Sequence, residues 1–267
     1  MKKKKLKQFI LYLILIISLI IFIYSIINIA LWYIDVRKNN EVINDINKII
    51  QVPDNIDTEE QIDIKEDEKT GDYWDYMKTN FLDVNLSKLK TINEDTAGWI
   101  QVPNTFVNYP FVKSNNNEYY LNHSFNKKKN NAGWLFMDYR NTKDLNNKNL
   151  IIYGHNRKDK TMFGTLKQLT NQNWFNNKSN NIIKISMESG NSNWQIFSVY
   201  IIETTNDYIK TSFQSDNEYQ EFIDMIKNRS IVSFDTNVTI SDKILTLSTC
   251  HGSYKKLVIH AKLIGNN

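Results

Sequence analysis

Lys243-Ile244-Leu245-Thr246-Leu247-Ser248-Thr249-Cys250 is a run of apolar and β-branched residues with a thiol at its last position, followed by the turn-opening His251-Gly252-Ser253. Its composition and length are those of a buried strand. Outward from it lie seven runs of the same kind: WIQV, VNYPFV, GWLFMDY, NLIIYGH, NIIKISM, NWQIFSVYIIE and KLVIHAKLI, separated by turns rich in Asn, Asp and Lys. Eight short strands from Gly98 onward predict a closed or nearly closed barrel. Two helical stretches interrupt them, Met162 to Leu169 with its continuation to Phe175, and Asn217 to Asn228. There is no internal repeat, Gly-rich phosphate loop or metal-ligand cluster.

Before the strands the chain has a different character. Residues 9–34, FILYLILIISLIIFIYSIINIALWYI, contain no charge and exceed the roughly 20 apolar residues that cross a bilayer. A cleaved signal peptide would need a shorter apolar region and a small-residue cleavage site, for which Ala30-Leu31-Trp32 is poor. Lysines crowd residues 1–8, so the positive-inside rule puts this tail in the cytoplasm and everything after Ile34 outside the cell. Much of the formal net charge of +4 sits in that tail, which argues against a nucleic-acid-binding surface. Residues 35–71 read as a helical and then polar stalk, with helical spacing from Arg37 to Ile50 and an acidic connector around Pro53. Tyr73 to Lys90 resumes a helical pattern, with Trp74, Met77, Phe81, Leu86 and Leu89 available for one face, and opens a folded domain spanning residues 72–267.

An extracellular location makes the cysteine count informative. The chain has one cysteine, Cys250, which cannot form an internal disulfide. Alone, such a residue is more often a small buried hydrophobe or an intermolecular bridge than a nucleophile. The run Asn149 to Tyr153 changes the balance, because it is a second buried-type strand that ends in Gly154-His155-Asn156. A thiol and an imidazole on converging strand ends form a workable acyl-transfer unit, the thiolate attacking a carbonyl and the imidazole moving the proton.

At these residues the chain resembles the sortases, and within them class B. Thr246-Leu247-Ser248-Thr249-Cys250 is similar to the family's TLxTC signature, and Tyr153-Gly154-His155-Asn156 to its histidine strand. The likeness continues through Asn93 to Ile100, Val107 to Pro110, Tyr119 to His123, Ala132 to Asn141 and Thr161 to Leu166, and covers roughly Asp72 to Ile264. It implies a mainly β fold: an eight-stranded sortase-type β-barrel with N-terminal helices and a helix inserted between late strands, preceded by one transmembrane helix. It also implies a cysteine transpeptidase that needs no cofactor or metal. Cys250 would cleave the C-terminal sorting signal of a surface protein after its Thr, through a thioacyl enzyme, and a peptidoglycan amine would release the product. His155 would be the acid and base.

The family places an arginine on the strand after the cysteine to stabilise the oxyanion. No arginine follows Cys250 here, and alignment of KLVIHAKL puts Lys256 in that role, with Lys255 the competing choice on the opposite strand face and Arg140 and Arg157 behind it. Ser248, Thr249 and Asn156 are the expected substrate-binding residues, with half-buried strand positions the alternative explanation for Ser248 and Thr249. The expected partners are an NPxTx- or SPxTG-like signal peptide, a peptidoglycan precursor or cross-bridge amine, and the membrane. The competing readings are a non-enzymatic surface binding module and a hydrolytic cysteine peptidase. Papain-like enzymes carry the nucleophile on a helix, and the motif of an L,D-transpeptidase is not apparent. His123, His251 and His260 read as structural.

Overall fold

The computed structural model describes residues 2–50, 81, 84–251 and 254–266. Helix α1, Lys2–Ile50, is continuous. From Leu6 to Ile34 its large apolar side chains are exposed on all sides, the pattern of a helix that meets lipid rather than a protein core. It is long and apolar enough to cross a membrane. Beyond Ile34 the helix docks. Asn39 and Ile46 are buried, and Val42 and Ile43 pack on the main core. Asn130 Nδ2 donates to the Asp35 carbonyl at 3.1 Å and Asn131 Nδ2 to Asp35 Oδ2 at 2.9 Å. From Asp35 to Ile50 the segment read as a stalk therefore includes a face that belongs to the folded domain; its connector, 51–71, lies outside the described residues. So do Trp74 and Met77 of the expected second helix, of which the described part is α2, Leu86–Ile92, with Leu86 and Leu89 buried. Asn85 caps it by accepting from the Lys88 N–H.

Eight strands then close a barrel in the order β1-β2-β3-β4-β7-β8-β6-β5. They are β1 Thr96–Gln101, β2 Asn108–Val112, β3 Phe136–Met137, β4 Asn149–Gly154, β5 Ile182–Met187, β6 Gly190–Glu203, β7 Ile244–His251 and β8 Lys255–Asn266. Two of the predicted elements differ in kind. GWLFMDY contributes only two strand residues, because Gly133 turns the chain at φ +60° before them and Asp138 opens a turn after them, its carbonyl accepting from the Asn141 N–H. The stretch from Met162 to Phe175 is two 3₁₀ segments, Leu166–Thr170 and Gln172–Asn176, rather than an α-helix. Met162 has φ +52°, and Asn171 is extended and accepts from the Asn173 N–H, so an α-helical ladder cannot run through.

Alternation along β7 and β8 builds two apolar layers. Leu245, Leu247, Leu257, Ile259 and Ala261 fill the barrel, while Ile244 and Val258 face outward. That outer face is covered by α3, Asp216–Asn228, through Tyr219, Phe222, Ile223 and Ile226. Ser215 caps α3 by accepting from the Glu218 N–H, and Asp216 and Glu218 add negative charge to its first turn.

Candidate active site

Strands β4 and β7 run parallel, with Tyr153 opposite Ser248 and Gly154 opposite Thr249. One further step along each chain brings positions 155 and 250 level at adjacent strand ends. Strand β8 returns antiparallel to β7 with Lys256 opposite Cys250 and Lys255 opposite His251. Directly opposed residues share a face of the sheet, so position 256 lies on the face of position 250 and position 255 on the other. Lys255 is exposed and stands opposite Glu203 on β6, whereas Lys256 is half-buried.

A cavity of about 290 Å³ opens on this face, lined by His155, Ser248, Thr249 and Lys256 among others. Its remaining walls are Asn117 and Leu121 from the loop before β3, Phe136, Tyr153, Gly154, and the segment Thr204 to Ile209 that leaves β6. Asn156 lines a neighbouring cavity with Arg157, Lys158 and Lys160, so of the expected site residues it is the one set apart.

His155 is held by its Nε2, which lies 2.7 Å from the Leu121 carbonyl oxygen. A carbonyl can only accept, so Nε2 carries a proton and Nδ1 is the nitrogen left to exchange one. The loop supplying that carbonyl is braced by Trp134 N–H donating to Tyr120 O and Asn130 N–H to Asn122 O. Gly133 turns beneath the ring with so little room that a Cβ there would stand 2.7 Å from His155 Cδ2.

The two arginines considered as alternative cations are committed elsewhere. Arg157 forks onto Asp159 and also donates to Thr161 Oγ1, with both members of the ion pair largely buried. Arg140 grips Asp138 through Nε and Nη2 at 2.8 and 2.7 Å. Burial alone would raise the Asp138 carboxyl, but the Arg140 fork, the Arg140 N–H and the Tyr153 hydroxyl together hold it below the usual carboxylate range.

Beneath the cavity the outer face of β7 and β8 carries a hydrogen-bonded polar chain. Asn149 Nδ2 donates to Tyr208 O and Lys210 O, Thr246 Oγ1 donates to Asn149 Oδ1, and the hydroxyls of Tyr208 and Ser248 are 2.9 Å apart. Because the Thr246 proton is used on Asn149, His260 Nδ1–H donates to Thr246 and His260 Nε2 accepts from the Tyr200 hydroxyl. Burial pushes the His260 imidazole down to about 3, with the charge of Arg229 adding to the effect, so it is a neutral structural link. Thr249 Oγ1, buried, has no hydrogen-bond partner among the described residues.

The sortase-domain family model matches residues 100–264, most of the barrel. Sortase B of Staphylococcus aureus (strain NCTC 8325 / PS 47) is 38% identical over 183 residues, covering 67% of this chain and 74% of its own. The chain belongs to the sortase B family. It is accordingly a cysteine transpeptidase of the sortase B type. Two solved structures, a Staphylococcus aureus sortase B–substrate complex and sortase B complexed with triglycine, each superpose on this sortase with a TM-score of 0.63 at 38% identity. Each match covers 67% of this chain and 84% of the other.

The wall from Thr204 to Ile209 escaped the reading of the sequence. Its signal was the polar run Thr204-Thr205-Asn206-Asp207 between the longest strand and a capped helix, a loop placed where a rim would be.

Proposed function

We propose that the cavity beside His155 binds the C-terminal sorting signal of a surface protein, and that Cys250 cleaves it after threonine and passes the acyl group to a peptidoglycan amine. The reading rests on one observation above all: the pairing of parallel β4 and β7 runs out at Gly154 and Thr249, one residue before His155 and Cys250, with the His155 imidazole in the cavity wall and Lys256 directly across the ladder from the chain's one cysteine. The Cys250 thiolate attacks the threonine carbonyl carbon, and the oxyanion that develops faces the Lys256 ammonium. His155, protonated on both nitrogens, gives its Nδ1 proton to the departing amine as the C–N bond breaks, leaving a thioester. The acceptor amine then attacks the thioester and loses its proton to Nδ1, and the thiolate departs as the new amide forms. Lysine keeps the positive charge of the family's arginine without the planar two-donor fork.

Ser248 and Thr249, which line the cavity, are the proposed substrate contacts, with Asn156 of the neighbouring cavity as a third. NPxTx- or SPxTG-like peptides are the signals to test, and the triglycine bound by a relative is the model for a cross-bridge acceptor. For the whole chain we assign residues 1–8 to the cytoplasm, 9–34 to the membrane, 35–71 to a linking segment and 72–267 to an extracellular catalytic domain. The deciding experiment incubates the protein with a panel of both peptide types, with and without triglycine, and analyses the products by mass spectrometry. Triglycine-linked threonine products support transpeptidation; hydrolysis alone, undiminished by triglycine, refutes the acceptor step, and no cleavage of any peptide refutes the substrate class.

A further inference from the structure

The Asp138–Arg140 pair takes no part in the chemistry above, yet it touches three separate stretches of the cavity wall. Asp138 is completely buried. Its carboxylate accepts from Arg140 Nε and Nη2, from the Arg140 backbone N–H at 2.9 Å, from the Tyr153 hydroxyl at 2.8 Å and from Asn117 Nδ2 at 3.0 Å. Tyr153 and Asn117 both line the cavity. The same Arg140 Nη2 donates at 2.8 Å to the carbonyl of Ile209, which also lines the cavity. Asn149 holds the carbonyls on either side, Tyr208 and Lys210. Three consecutive carbonyls of a segment outside any helix or strand are thus tied down by side chains from the β3–β4 region.

A buried ion pair is weak as a source of stability, since apolar residues of similar volume commonly do as well. What a bidentate fork supplies is direction. With two nitrogens fixed on one carboxylate, the guanidinium plane is set, and the remaining Nη2 hydrogen points where the Ile209 carbonyl lies. We propose that Asp138 and Arg140 are positioning residues that set the width of the peptide groove, tying its Tyr208–Ile209 wall to its Asn117 and Tyr153 side. This rests on the reading of the cavity as a peptide site.

The test uses the full chain in detergent or nanodiscs, with Arg140→Lys, which keeps the charge and loses the fork, and Asp138→Asn, which keeps the shape and loses the charge. Three quantities are measured: hydrogen exchange over residues 204–213, alkylation rate of the thiol by iodoacetamide, and steady-state kinetics on the best-cleaved peptide of the panel. Exchange in 204–213 rises at least tenfold, alkylation stays within about threefold of wild type, and KM rises about tenfold with kcat within about threefold, the pattern of lost binding rather than lost chemistry. Unchanged exchange over 204–213 overturns the proposal, and so does faster exchange with an unaltered KM, which would make the pair merely structural. A fall in kcat and alkylation together at constant KM overturns it as well. If wild type cleaves no peptide, the substrate reading fails, while the exchange measurement still decides whether the pair holds the wall.

Discussion

Replacing Gly133 by alanine tests whether the carbonyl that holds His155 governs turnover. Gly133 has φ +60°, where a residue with a Cβ is strained by about 1–2 kcal/mol. The added methyl would stand 2.7 Å from His155 Cδ2, 2.7 Å from Tyr120 O and 2.9 Å from Leu121 O. Carbon atoms pack without repulsion at about 3.5–4.0 Å, so the ring or the loop must move by about 0.5–1 Å. Both oxygens are engaged, Tyr120 O by the Trp134 N–H and Leu121 O by His155 itself, so yielding strains the support of the imidazole. Strain and contact together lower stability by about 2–4 kcal/mol, and a displacement of about 1 Å in a catalytic group lowers kcat about 100-fold. Chemical denaturation and single-turnover peptide cleavage separate the two effects, at a temperature where the variant is fully folded. Gly190→Ala, at φ +122° in the β5–β6 turn away from the cavity, is the control that loses stability and keeps kcat. A folded Gly133→Ala with wild-type kcat would falsify the claim that the Leu121 carbonyl positions His155.

Cys250→Ala should abolish peptide cleavage, and iodoacetamide should label wild type once; residual turnover in the variant above background contradicts the nucleophile assignment. Lys256→Ala should lose about 100- to 1000-fold in kcat while Lys255→Ala stays near wild type, and comparable losses in both would reject the register argument. Stability should fall on acidification through His260. Its folded pKa of about 3 lies below the unfolded value near 6.5, so between these pH values the unfolded chain binds a proton that the folded one refuses. Each unit of pH below about 6.5 then removes up to about 1.4 kcal/mol, and His260→Gln should flatten that slope in urea melts at pH 7, 6 and 5; an unchanged slope means other groups control it.

Much of this protein is written in local pattern. The charge-free run from Phe9 to Ile34 declares a helix long and apolar enough to cross a membrane, because length and apolarity are properties of the segment alone. Strands β4 and β7 announce themselves by apolar runs, and the helical run read from Asn217 to Asn228 falls one residue short of α3 at its start. The resemblance carried by TLSTC and YGHN pointed to Cys250 and His155 as the reacting pair. Other features depended on which distant segments meet. The choice between Lys255 and Lys256 is a matter of β7–β8 register, set by the whole ladder rather than by either lysine. The brevity of β3 follows from the turns at Gly133 and Asp138. The docking of α1 through Asp35, Asn39 and Ile46 joins residues about 95 positions apart in the chain. The cavity wall from Thr204 to Ile209, and the Asp138–Arg140 pair that grips it, have no periodic signature. Their geometry comes from side chains satisfying carbonyls across 69 residues of sequence, and only the folded barrel brings those ends within hydrogen-bond reach.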